Sequence, residues 1–355
     1  MPKLLVTGGV GFIGTNFVRY WTGRHRDDEI VVLDALTYAG NRANLAGLDA
    51  ITFVHGDIRD TELAASLLAD HKLDTIVHFA AESHVDRSID GPDAFLDANV
   101  IGTHSLLKAA KRVWLDSGTG QPHRFHHIST DEVYGSLGPD DPAFSERTSY
   151  APNSPYSASK AASDHLVRAY HQTYGLDTTL TNCSNNYGPY QFPEKLIPLF
   201  MINCLRGRPL PIYGDGMNVR DWLHVDDHCR AIDMALSRGR PGETYNIGGG
   251  EELTNMAVID TICATVDDAF ASDPDLARNF PDALPTQGRS STELKTFVAD
   301  RAGHDRRYAI DDRKARRELG YEAERDFEGG FASTLAWYLA REDWWRPLLE
   351  RSGLG

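Results

Sequence analysis

Lys3-Leu4-Leu5-Val6-Thr7-Gly8-Gly9-Val10-Gly11-Phe12-Ile13-Gly14 is the stretch whose reading decides the fold. Lys3–Thr7 reads as a buried strand and Asn16–Thr22 as the helix after it. Between them Gly8, Gly11 and Gly14 have the spacing G-x-x-G-x-x-G. Glycine there lets the backbone turn tightly and approach a pyrophosphate, which then sits on the helix N-terminus. A plain tight turn would also explain three glycines. The next strand, Glu29–Asp34, adds what a turn does not need: a carboxylate twenty residues beyond Gly14. Asp34 would accept from the adenosine ribose hydroxyls. It would also repel a 2′-phosphate, so NAD+ is expected rather than NADP+.

Further along, Ile51–His55, Thr75–Ala80 and Arg124–Thr130 read as strands, with helices over Thr61–Ala69 and Val100–Leu115. This alternation predicts an α/β fold, a Rossmann-type doubly wound parallel sheet with helices on both faces. Asp57-Ile58 follows the third strand and is placed to meet the adenine; a helix-capping aspartate would look the same. Asn153-Ser154-Pro155 starts a helix over Tyr156–Tyr174 that Gly175 ends.

Beyond about residue 185 the rhythm breaks. Pro189, Pro193, Pro198, Pro209 and Pro211 punctuate short elements. The expectation is a cofactor domain over 1–184 and a smaller C-terminal α/β substrate-binding domain over 185–355. Segments near 220–247 would rejoin the first domain. Ser272–Ser291 lacks periodicity and reads as loop or linker. Phe327–Trp345 reads as an aromatic helix, with Trp337, Trp344 and Trp345 packed in a core.

The chain has 355 residues, a net charge of −15, 41% hydrophobic and 25% charged residues. That excludes a disordered chain and argues against general nucleic-acid binding. Cys183, Cys204, Cys229 and Cys263 have no C-x-x-C spacing, so buried reduced thiols are expected. No apolar run approaches a membrane span, and the expected place is the cytoplasm. His224 and His228 have helical metal-ligand spacing, but no third ligand is evident, so a capped helix start is expected and no metal. His126 and His127 point to opposite faces of a strand.

Tyr156 and Lys160 lie four apart and share one helix face. A tyrosine ionises near pH ~10, so a base near neutrality needs roughly 4 kcal/mol of differential stabilisation. A nearby ammonium and a cationic nicotinamide both have the right sign. Thr130, ending a strand in the same half of the sheet, adds a hydroxyl. Asp131 and Glu132 follow it directly, and adjacent acids are usually solvated.

The glycine turn, Tyr156/Lys160 and Thr130 resemble the extended short-chain dehydrogenase/reductase superfamily. Ala81-Glu82-Ser83-His84-Val85-Asp86-Arg87-Ser88, Thr130–Gly135, Asn182–Leu196 and Arg220-Asp221-Trp222 are similar, more specifically, to the dTDP-glucose 4,6-dehydratase family. The resemblance runs from Lys3 to about Gly320. It implies dTDP-glucose as substrate and a tightly bound NAD+ regenerated in each cycle. Tyr156 would be the base at the sugar O4, Lys160 its partner, Glu132 the base at C5 and Asp131 the acid at C6. The cofactor would lie against Gly8, Gly11, Phe12, Ile13, Gly14, Asp34, Asp57, Ile58, Ala80, Ala81, Tyr156, Lys160 and Asn186, with Lys160 on the nicotinamide ribose. Ser83 and Thr130 would touch the sugar; Asn185, Lys195 and Leu196 would line the diphosphate path. Pro211, Ile212 and Tyr213 would pack near the thymine. Arg220 would pair with the diphosphate, and Asn255, Arg301 and His304 would complete the cover. The sequence departs from the pattern at Ala302, where proline is expected, and at Ser136, often aspartate. A homodimer is also implied. The competing readings are a nucleotide-sugar 4-epimerase, which would not require Asp131-Glu132, a dehydratase of another nucleotide sugar, and a non-enzymatic NAD-dependent sensor.

Overall fold

Strand and helix alternate from the first residues of the computed structural model, which describes residues 2–118 and 120–352. β1 (Lys3–Thr7) feeds α1 (Phe12–Arg24); β2 (Glu29–Asp34), β3 (Ile51–His55), α2 (Thr61–Asp70) and β4 (Thr75–His78) follow. α3 (Val85–Asp90), α4 (Asp93–Phe95) and α5 (Thr103–Ala110) lead to β5 (Arg124–Thr130), the chain being helical over 93–116 with π-type turns at Leu96–Gly102 and Lys111–Asp116. α6 (Pro155–Tyr174) precedes β6 (Thr178–Cys183) and β7 (Asn185–Tyr187). Then come α7 (Leu196–Leu205), β8 (Leu210–Tyr213), β9 (Val219–His224), α8 (Val225–Arg238), β10 (Thr244–Ile247), β11 (Glu252–Thr254) and α9 (Asn255–Ser272). α10 (Leu276–Asn279), β12 (Lys295–Val298), α11 (Arg313–Leu319), α12 (Phe327–Ala340) and α13 (Glu342–Ser352) complete the order.

Seven strands form one parallel sheet in the order β10-β6-β5-β4-β1-β2-β3. The chain runs from β1 outward through β2 and β3, then returns to the other side of β1 at β4. That reversal opens a crevice at the carboxyl ends of β1 and β4, the usual ligand position in such sheets. The strands are apolar on both faces because both are covered. Leu5, Val31, Ile76 and Phe125 pack on one side with Leu106 and Val167. Leu4, Val6, Val32 and Val77 pack on the other with Val225 and Ile232.

Residues 220–247 divide between the two parts of the molecule. β10 pairs with β6 in the large sheet, and α8 packs on α1. β9 joins a separate three-stranded sheet, β11-β9-β7, and β8 pairs with β12. The second core gathers Phe200, Met201, Ile262, Phe331, Trp344 and Trp345, with Trp337 packed against it. Trp344 Nε1 donates to Asn44 Oδ1 at 2.6 Å, which ties the C-terminal helices to the first domain. The 272–291 stretch is not a linker. It holds α10 and a 3-10 turn over Leu284–Gln287, and Leu276, Phe280 and Leu284 bury into that core. Irregular backbone packs these side chains without a period, so periodicity missed them.

Candidate active site

Local chemistry sets the two ends of the crevice. At the β1 end Gly8 has φ +69 and a Cβ on it would meet Ala80 N at 2.6 Å. A Cβ on Gly14 would lie 2.2 Å from the Gly8 carbonyl oxygen. No side chain fits either place, so the turn presents bare backbone at the start of α1. At the other end α6 starts with a reciprocal cap between Ser154 and Ser157, with Pro155 in the first turn, and Gly175 ends it in the left-handed region. That rigid start carries Tyr156 and Lys160 on one face.

A cavity of ≈ 500 Å³ joins the two ends. Gly8, Gly11, Phe12, Ile13, Gly14, Asp34, Asp57, Ile58, Ala80 and Ala81 line one part of it; Ser83, Thr130, Glu132, Tyr156, Lys160, Asn185, Asn186 and Lys195 line the rest. Asp34 accepts from Val10 N at 3.1 Å and Leu36 N at 2.8 Å, which fixes the carboxylate at the wall. Burial pushes its ionisation up, and those two bonds oppose the rise. The side-chain-free turn, the acid at the end of β2 and the long cleft fit a dinucleotide.

Lys160 is 4% exposed. Its Nζ donates to the Ile128 carbonyl at 2.8 Å and lies 3.3 Å from His127 Nε2. Burial lowers the ammonium to about 8, while the charge of Asp164 opposes that. Tyr156 shifts the other way from the expectation. Burial, then the charges of Glu132 and Cys183, push the phenol well up, and Thr130 alone among its main neighbours works downward. Burial and the protein's own acids thus both disfavour a phenolate at this position.

Asp131 and Glu132 occupy a 3-10 turn, Asp131–Tyr134, whose start Thr130 caps by accepting from Glu132 N at 3.3 Å. Asp131 is 1% exposed, lies behind the cavity wall and keeps a buried Oδ2 without a partner. Burial first, then the charges of Glu132 and Asp221, raise it well above the carboxylate range. Glu132 is raised by burial too, but Arg220, Arg301 and Lys195 all pull it back. The two acids are therefore unequal: burial and like charges raise one strongly, and the other faces three cations.

The remaining predicted residues lie outside this cavity's wall. Arg220 donates to the carbonyls of Val219 and Asp305 at 2.7 and 2.9 Å and stacks over Tyr308, and its charge reaches Glu132. Arg301 points at Asp86, 3.5 Å away, with a buried unpartnered Nε. His304 pairs with Asp300 and touches Tyr213 edge-on. Asn255 begins α9 and donates its main-chain N–H to Asn218 O. Pro211 is half-buried on β8. Ile212 is 2% exposed and belongs to the second core, and Leu196 packs against that core, so their side chains turn inward. Ser136 accepts from Arg306 N at 3.0 Å, tying the 300–306 loop to the Asp131–Tyr134 turn.

His224 caps α8, accepting from Asp226 N, and His228 Nδ1 lies 2.9 Å from Asn186 Oδ1. Burial lowers His228 to about 3, so the neutral ring orients Asn186. Among the described residues no group of three or more His, Cys, Asp or Glu is placed to hold a metal. All four cysteines are buried and free. Sequence reasoning missed Tyr38 and Glu194 on the cavity wall. Tyr38 donates to Glu194 at 2.8 Å, with Arg87 stacked 3.7 Å over the tyrosine ring. Glu194 lay within the quoted Asn182–Leu196 motif, and the loop after Asp34 was the remaining signal.

A bare glycine turn and a buried acid at the end of β2, with a Tyr-x-x-x-Lys pair and a threonine at the other end of the cleft, are the arrangement of the short-chain dehydrogenase/reductase class. The chain belongs to the GDP-mannose 4,6 dehydratase family, whose model matches residues 5–334. It is 53% identical over 357 residues to a dTDP-glucose 4,6-dehydratase of Xanthomonas campestris pv. campestris (strain B100), covering 99% of this chain and 97% of the relative. It is 51% identical over 355 residues to dTDP-glucose 4,6-dehydratase 1 of Escherichia coli (strain K12), covering 96% and 94%. The crystal structure of DesIV, a dTDP-glucose 4,6-dehydratase from Streptomyces venezuelae with NAD and TYD bound, superposes with TM-score 0.85 at 50% identity over 98% of this chain and 99% of that one. The UDP-glucose 4-epimerase of Thermus thermophilus in complex with NAD gives TM-score 0.80 at 26% identity, covering 96% and 99%.

Proposed function

We infer that this chain converts dTDP-glucose to dTDP-4-dehydro-6-deoxy-D-glucose and water, with NAD+ in the cleft between Gly8 and Lys160. The observation that carries the reading is the unequal acid pair, Asp131 buried with its ionisation pushed well up and Glu132 facing cations, beside Tyr156 and Lys160. About 50% identity to dehydratases over nearly the whole length supports the same reaction, against 26% for the epimerase.

Bound there, NAD+ supplies the oxidant that takes hydride from C4 and the reductant that returns it at C6. Tyr156 accepts the proton of the O4 hydroxyl, with Lys160 stabilising the phenolate. The C4 ketone acidifies the C5 hydrogen, which Glu132 removes, and C5 regains a proton as the hydride arrives at C6. Asp131, kept neutral by burial, protonates the hydroxyl that leaves C6 as water. Thr130 and Ser83 hold the sugar hydroxyls, and Asn185 and Lys195 the diphosphate path. Arg220 and Arg301 place fixed cations where phosphate charge must be met. Asn186 holds the cofactor in the orientation His228 sets. Pro211, Tyr213, Asn255 and His304 belong to the nucleotide cover, Ile212 and Leu196 through their backbone only.

The working form is a homodimer. Leu96 and Ile101 are 51% and 53% exposed on the helical run beside α6, a surface that suits a second copy. No helix is long and apolar enough to cross a membrane among the described residues, and a cytoplasmic place is consistent with that.

Incubation with dTDP-glucose tests the reaction. The expected result is a 4-keto-6-deoxy product with no net accumulation of reduced cofactor. Formation of dTDP-galactose instead overturns it.

A further inference from the structure

Behind Lys160, away from the cavity, the structure holds a buried polar cluster that the reaction does not use. Asp164 lies one helical turn beyond Lys160 on α6 and is 3% exposed. Its Oδ2 accepts from Ser129 Oγ at 2.8 Å and Tyr150 OH at 3.0 Å. Its Oδ1 is buried with no hydrogen bond of its own but stands 3.3 Å from His127 Nε2. The same ring nitrogen is 3.3 Å from Lys160 Nζ. One nitrogen of a fully buried imidazole is therefore within reach of both the ammonium and a carboxylate.

We propose that Asp164 and His127 are positioning residues that keep Lys160 charged and aimed at Tyr156, and thereby set the pH at which the tyrosine works. The proposal rests on the reading of Tyr156 as the base. A buried ammonium is costly without an opposite charge. The groups that face Lys160 are few. His127 comes from β5 and is neutral, its ionisation pushed well down by burial and by Lys160 itself. His78 on β4 is likewise neutral. Cys183 on β6 is a thiol, pushed up by burial. Tyr156 shares its helix, and Glu132 and Asp131 act mainly on that tyrosine. Asp164 is the formal anion on the interior side. Its carboxyl is raised to about 6 by burial, with Lys160 the first group to oppose the rise, and Lys160 stays charged below about 8. Near neutrality both are ionised. Lys160 Nζ, Asp164 Oδ1 and Ser163 Oγ all meet the same ring nitrogen, Nε2, while Nδ1 is buried without a partner. The Ile128 carbonyl takes a second ammonium proton, and the side toward the cavity stays available.

Without the carboxylate the ammonium gives up its proton more easily, its support for the phenolate weakens, and Tyr156 needs a higher pH to lose its proton. Asp164→Asn keeps the shape and an oxygen for Ser129 and Tyr150. It should move the acid limb of kcat/KM for dTDP-glucose up by about one pH unit, as loss of one close charge does. Ultraviolet titration of the NAD-loaded protein, with its Tyr156→Phe variant subtracted, should move the phenolate step by the same amount. Asp164→Glu, which keeps the charge, should keep the parent profile. His127→Gln leaves the Ser129 and Tyr150 bonds in place and should shift both readouts in the same direction; it carries the test if Asp164→Asn does not fold. A uniform loss of rate with an unmoved acid limb and an unmoved phenolate step would mean a structural role only, and the proposal falls. If Tyr156→Phe keeps normal turnover, the base reading falls instead, and the subtracted titration shows no phenolate step to move.

Discussion

Lys160 Nζ donates to the main-chain carbonyl of Ile128 at 2.8 Å, two residues before Thr130 on the same strand. That bond pins the start of α6 to the carboxyl end of β5. It sets Tyr156, one turn before Lys160, against the Thr130–Glu132 turn. Tyr156, Thr130 and Glu132 thus come to one wall of the cleft from two elements, with Asp131 buried behind it.

Tyr156→Phe removes only the phenolic oxygen, and the ring edge against Phe95 at 6.3 Å remains. The expected loss in kcat is about 10²- to 10⁴-fold, the usual share of a positioned base. Product assays under saturating dTDP-glucose measure it, with the melting temperature as the check on folding.

Glu132→Gln and Asp131→Asn should each slow water loss by a similar factor while leaving the dissociation constant of the nucleotide sugar within a fewfold of the parent. Tritium or deuterium exchange at C5 separates them. Glu132→Gln should suppress exchange, whereas Asp131→Asn should leave it closer to normal, because C5 proton removal precedes departure of the C6 hydroxyl. Normal dehydration by both variants would remove the acid/base assignment.

Asp131 also predicts a stability effect. Its folded-state ionisation is raised above the unfolded value. Stability from that neutral carboxyl is complete below the ordinary aspartate value, near pH ~4, and is lost as pH rises toward the folded one. Asp131→Asn cannot ionise, so its melting temperature relative to the parent should rise between mildly acidic and neutral pH, on the order of a few degrees. Differential scanning calorimetry across that range checks the slope. A difference constant with pH would contradict it.

Gly14→Ala places a methyl 2.2 Å from a main-chain oxygen that cannot rotate away. The turn must open, with a destabilisation of about 1–3 kcal/mol, as overpacking typically costs. The cofactor should be lost on gel filtration. The ratio of bound nucleotide to protein is the measurement.

Val10 N and Leu36 N bond different oxygens of Asp34, so Asp34→Asn keeps an acceptor for only one of them, and it removes the negative charge at that end of the cleft. The preference for NAD+ over NADP+ should fall on the order of tenfold, equivalent to about 1.4 kcal/mol. Competitive titration with the two dinucleotides reads it directly.

Local chemistry made much of this legible in the chain itself. The β1 to β5 strands, the α6 helix with its Ser154 cap and Gly175 stop, and the glycine turn all follow from short-range pattern. Boundaries moved where side chains do not mark them: β4 ends at His78, and α1 runs through Phe12–Arg24 because the last glycine of the turn, Gly14, already lies in its first turn. The segment from Leu276 to Leu284 was opaque because it packs aperiodic side chains on irregular backbone. The fate of β9 was equally hidden, since its apolar residues suit either sheet.

The sequence by itself determined the doubly wound fold, the cofactor turn, and which residue types carry chemistry, because each depends on spacing along one strand, turn or helix. Only the tertiary structure decided how those groups behave. Burial and the charges of Glu132 and Asp221 separate Asp131 from an ordinary solvated acid, and three cations from distant parts of the chain hold Glu132 back. The same holds for the tyrosine that the spacing singled out. Its ionisation is raised by burial and by Glu132, Cys183 and Asp131, and electrostatic work depends on distance and burial in space, which spacing along the chain does not record.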